Sequence, residues 1–148
     1  MTFKRGLLGA AVLLIVILGA YVLGYWPERA KRMALESEVA ALRGQLNDAE
    51  ARVRMARLLG ELVNVLEATS ALNYGQAQGL ASKFFDAARA EATTTPVPSF
   101  KTTLEGILQN RDQVTAALTR ADPAVTEILR SAQLQLRTAL GYPVPQPS

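Results

Sequence analysis

A run of 21 residues without a charge, GLLGAAVLLIVILGAYVLGYW at positions 6–26, constrains this chain more than any other feature. It is apolar all round, and about 20 such residues suffice for a helix to cross the hydrocarbon of a bilayer. Lys4 and Arg5 precede it, and Tyr21, Tyr25 and Trp26 gather at its far end, where amphipathic rings favour the headgroup layer. These flanks predict a lipid bilayer as partner, with those five residues at the membrane interface. A cleaved signal peptide starts in the same way. Its only small-residue end within range, Leu18-Gly19-Ala20, has a bulky residue three before the cut, and the apolar run continues beyond it. An uncleaved signal anchor fits better.

Lys and Arg counted on the two sides of the run do not settle orientation: Arg29, Lys31, Arg32 and Arg43 follow it, against Lys4 and Arg5 before it. Long C-terminal domains translocate largely regardless of charge. The expected localisation is therefore a single-pass membrane protein, N-terminus cytoplasmic and C-terminal domain extracytoplasmic.

The chain has 148 residues and a net charge of +3, with 16 Lys and Arg against 13 Asp and Glu. The excess is local, since residues 1–57 carry +4 and residues 58–148 carry −1. The cations Arg52, Arg54 and Arg57 are balanced by Asp48, Glu50 and Glu61 and have no interleaved aromatic to stack a base. No nucleic-acid partner is expected. With no Cys and no His, the chain lacks the ligands and bases of zinc sites, Cys-His and Ser-His-Asp triads and disulfide frameworks.

Beyond Pro27, where a kink or short break is expected, the apolar residues fall into a heptad. Leu35, Val39, Leu42, Leu46, Ala49, Val53 and Ala56 alternate four and three apart, with Val39, Leu46 and Val53 at a and the others at d. β-Branched a with leucine d favours two parallel strands. Glu38 at g would face Arg43 at e of a parallel partner, whereas Arg52 would face Arg57. The seam predicts a short stalk over 27–57 and a possible parallel homodimer; the alternative is one amphipathic helix folded back on the C-terminal helices.

Near residue 55 the seam slips to Met55, Leu59, Leu62 and Leu66, and the stripe broadens as expected of a helix in a bundle. A turn at Asn73-Tyr74-Gly75 precedes a helix over 76–92 with Leu80, Phe84 and Ala88 on one stripe. After the break at 93–98, Ser99 can cap a helix striped by Phe100, Leu104, Ile107, Leu108, Val114 and Leu118. Asp122-Pro123 opens the last helix, with Val125, Ile128, Leu129, Ala132, Leu136 and Leu140 inside and Gly141 as its end. No segment reads as a strand. The expected fold is all-α: a basic tail at 1–5, an anchor at 6–26, a coiled-coil stalk at 27–57, an antiparallel bundle of three to four helices at 58–141, and a Pro-rich tail at 142–148.

Residues 58–92 resemble one tetratricopeptide hairpin, with Tyr74 and Ala77 at the turn-side aromatic and small positions, although Val65 and Phe84 stand where the motif has small residues. The resemblance implies helical-hairpin packing and peptide-type protein contacts. Adjacent Phe84 and Phe85 cannot both point fully into one stripe, so with Tyr74 they form a candidate partner patch.

No phosphate loop, EF-hand or Ser-x-x-Lys turn occurs, and Glu36/Glu38 and Asp48/Glu50 diverge around their helix. No catalytic residue, cofactor site or metal site is expected. The chain is expected to be a membrane-anchored scaffold or interaction protein that positions its bundle to bind a protein whose identity the sequence does not disclose. The alternative is an accessory subunit of a division, secretion or envelope assembly, contacting it through the apolar helix.

Overall fold

A computed structural model describes the backbone of residues 2–143 and the side chains of residues 13–21 and 32–143. The described residues form five helices and no strand: α1 (Thr2–Ser70), α2 (Tyr74–Thr94), α3 (Pro98–Leu108), α4 (Arg111–Thr119) and α5 (Val125–Leu140). The chain divides into two units, Met1–Gln45 and Leu46–Ser148.

From Thr2 onward the first unit is helical and belongs to α1, which continues through Pro27 without the expected break. Among the described residues no helix is long and apolar enough to cross a membrane. The single-pass localisation, with its cytoplasmic N-terminus, is corrected on that finding. The described side chains of the apolar run cover residues 13–21. The rest of the run, residues 6–12 and 22–26, and the interface residues Lys4, Arg5, Tyr25 and Trp26 lie outside the described side chains. Tyr21 is exposed.

The second unit is the helical bundle, and it begins at Leu46 rather than at residue 58. The end of α1 enters it through Ala51, Met55, Leu58, Leu62, Val65 and Thr69, all buried and alternately four and three residues apart. Leu59 and Leu66, expected on that stripe, sit half-buried at its edge. Helix α2 runs back antiparallel: Arg54 meets Glu91, and Asn64, Glu67 and Ala68 share a groove with Gln76 and Leu80. Further contacts of α2 go to α3 and α4, and α5 packs on both of those. A helix with neighbours on several sides must be apolar on several sides. Accordingly Ala77, Ala81, Phe84, Phe85, Ala88 and Ala92 of α2 are all buried.

Asn73 caps α2 by accepting from the Gln76 N–H at 3.2 Å. Ser99 does not cap α3; the N-cap is Val97, and Pro98 occupies the first turn, where its missing N–H costs nothing. The helix expected from Ser99 to Leu118 is two helices, because Arg111 falls where the stripe 100, 104, 107 calls for an apolar residue. The chain closes α3 with an Asn110 N–H bond to the Ile107 carbonyl and restarts as α4, which brings Val114, Ala117 and Leu118 inward. Asp122 caps a turn before α5 by accepting from the Ala124 N–H at 2.9 Å.

Three helix ends close alike. The residue after the last turn is left-handed and the N–H beyond it reaches back five residues: Asn73 to Ala68, Asp122 to Ala117, and Tyr142 to Arg137. The left-handed residues are Leu72 (φ 58), Ala121 (φ 54) and Gly141 (φ 77), so only one of the three is glycine.

Candidate functional site

The heptad seam is exposed among the described residues. Leu35, Leu42 and Leu46 are 56–60% exposed, Val39 is 44% exposed and Val53 is 70% exposed; Ala49 is exposed as well. The seam and the bundle-facing stripe use different faces of one helix. In the register that puts Val53 at a, the buried residues Ala51, Met55, Leu58 and Leu62 take f and c positions. Each is displaced by two residues from a seam position, about 200° around a helix that turns 100° per residue. Leu46, Ala49 and Val53 therefore point away from the core into which Ala51 and Met55 point.

Charged groups border the seam. Glu38 stands at a g position and Arg43 at the following e position, both exposed, and Glu36, Glu50 and Arg52 continue the two flanks. Arg57 approaches Glu61 on its own helix at 4.0 Å, so its charge is partly compensated within the chain. Arg54, at a b position, turns instead towards the bundle. Its Nε donates to Glu91 Oε2 at 2.8 Å, and a second nitrogen lies 3.9 Å from Glu50. Thus the Arg52, Arg54 and Arg57 cluster is not one continuous basic surface.

Glu91 was not singled out by sequence, yet it is the one buried charged residue among those described. Its Oε1 is buried with no hydrogen-bond partner among them. The signal was present: an acidic residue on the Ala81, Phe84, Ala88, Ala92 face of an amphipathic helix needs a cation from elsewhere.

The expected aromatic patch is corrected. Phe84 and Phe85 are both core residues, edge-to-face with centroids 5.2 Å apart, and Tyr74, at the start of α2, is half-buried against the core. No pair of them forms an exposed apolar surface. A groove of about 390 Å³ between α3 and α5 shows Leu134 among Ser99, Thr103, Ser131 and Thr138. Thr103 and Thr138 donate to carbonyls of their own helices, Ser99 and Leu134, and no charged residue lines the groove. Among the described residues no three acidic side chains gather to hold a metal ion.

The chain matches no family model, no curated protein and no solved structure. The hairpin of α1 and α2 is present, but membership of the tetratricopeptide family is not shown.

Proposed function

We propose that the chain is a scaffold or interaction protein, in which a small helical bundle is joined to a helix that binds another polypeptide helix along its exposed seam. The observation that supports this reading is the pair of faces on α1. From Ala51 onward one face is consumed by the bundle core, and over residues 35–53 another carries five large apolar side chains at heptad spacing, all exposed among the described residues. Water contact with such a row is unfavourable, and a second helix inserted knobs-into-holes is the geometry that removes it. Among the described residues a second exposed apolar row, at residues 13–18, has no charged flanks, and the bundle grooves hold hydroxyls, amides, a few apolar side chains, Glu67 and the Arg54–Glu50 pair.

The chain holds no cysteine, so a single introduced thiol reports on one position only. Maleimide labelling of Leu42→Cys in intact cells is expected to run at least tenfold slower than labelling of Gly44→Cys, which lies on the opposite flank, whatever the partner is. Equal rates in cells would refute the reading.

A further inference from the structure

We infer that the occupant of the seam is a second copy of this chain, paired in parallel and in register over residues 35–53. This rests on reading the seam as an interaction surface, and names its partner.

Size permits a dimer through this face alone. Five large apolar side chains per copy, each exposing roughly 100 Å², give about 1,000 Å² over the pair, the area a specific contact must clear. Side-chain type favours two strands: Val39 and Val53 at a, with Leu35 and Leu42 at d, is the combination parallel dimers prefer.

Charge separates the two possible directions. In parallel register Glu38 of each copy meets Arg43 of the other, and Gln45 meets Glu50 without conflict. The one adverse pair is Arg52 with Arg57, and Arg57 already has Glu61 at 4.0 Å. An antiparallel pairing that keeps the same apolar layers centres on Gly44. It gains Glu38 against Arg52 but sets Glu36 against Glu50 and Arg43 against its own copy, so the like-charge contacts outnumber the favourable ones. Like charges placed opposite each other disfavour that arrangement.

Within the second unit, Ala51 and Met55 face the core from the side of α1 opposite Ala49 and Val53, so the bundle leaves that part of the seam open to pairing. The dimer would then present two identical bundles, and any partner with two matching sites would be held by both at once.

Single-cysteine variants of the full chain test this in purified protein. Under mild oxidation, Val39→Cys, Leu42→Cys and Leu46→Cys should each give a disulfide-linked species of twice the chain mass, at least fivefold more than Gly44→Cys or Ala41→Cys. Mixing Leu35→Cys with Val53→Cys should give no mixed dimer above that control level. Crosslinking of the Leu35→Cys and Val53→Cys mixture would overturn the parallel direction. Uniform or absent crosslinking at all a and d positions would overturn self-pairing. If Leu42→Cys is nonetheless protected from maleimide in cells, the seam is an interface for a different protein; if it is labelled as fast as Gly44→Cys, the interaction reading fails as well.

Discussion

Removing Arg54 isolates the bundle's buried charge. The Glu91 side chain is 8% exposed, and its one partner among the described residues is the Arg54 guanidinium, at 2.8 Å from Oε2. Arg54→Ala leaves that carboxylate with neither oxygen hydrogen-bonded by the chain. A hydrogen bond to a charged group contributes about 1.5–3 kcal/mol, and breaking a fully buried ion pair costs about 3–5 kcal/mol. Arg54 is 42% exposed, so water reaches the pair and the lower range applies, with about 2 kcal/mol expected. With a urea m-value of about 2 kcal/mol/M, the midpoint should fall by about 1 M. The assay is far-UV circular dichroism of the full chain at one fixed concentration, because association would otherwise shift the midpoint. Glu50→Ala removes only the exposed contact at 3.9 Å and should cost no more than about 0.5 kcal/mol. Replacing both partners by apolar residues, Arg54→Met with Glu91→Leu, should return stability to within about 1 kcal/mol of the parent. If Arg54→Ala costs less than about 0.5 kcal/mol, or the double variant is no more stable than the single one, the pair does not tie α1 to α2 in the way described.

Other outcomes follow from burial and backbone. Leu62→Ala, at a fully buried position of the α1 stripe, should cost about 2–5 kcal/mol in the same assay. Phe84→Ala should cost about 3–5 kcal/mol, since the ring is a buried core residue; an unchanged midpoint would restore it to the surface. Leu72 holds φ 58 and is 72% exposed, so Leu72→Gly trades little packing for relief of left-handed strain and should stabilise by about 0.5–1 kcal/mol. Gly141→Ala at φ 77 should destabilise by about 1 kcal/mol through conformation alone, because an added methyl would meet nothing within 4 Å.

Much of the bundle was legible in the order of residues, and the departures have identifiable causes. Helix α5 could be read almost whole, because it packs on one side only: Val125, Leu129, Ala132, Leu136 and Leu140 are its buried stripe and Gly141 its end. Helix α2 could not, because stripe arguments assume one buried face and α2 is covered from several sides, which is why adjacent Phe84 and Phe85 are both inside. The division of α3 from α4 was marked by Arg111 in an apolar slot, a signal masked by the favourable residues around it. The candidate surface was legible as a heptad from spacing alone. What spacing could not show is that the bundle uses the c and f positions of the same helix, leaving a and d exposed up to Val53 and half-burying the last d residue, Ala56, against the core. The long apolar run suggested a membrane helix by its length, whereas among the described residues no stretch is long and apolar enough to serve as one.

The mass of the purified chain in solution tests the seam most directly. Sedimentation equilibrium of the full chain at about 100 μM, a range where weak association is populated, should return twice the 16.0 kDa of one copy. Leu42→Asp combined with Leu46→Asp, both at exposed positions, should return the mass of one copy while the bundle still unfolds cooperatively, at a midpoint lowered only by the lost association. A single-copy mass for the parent chain, or a double mass that survives both substitutions, would contradict pairing through residues 35–53.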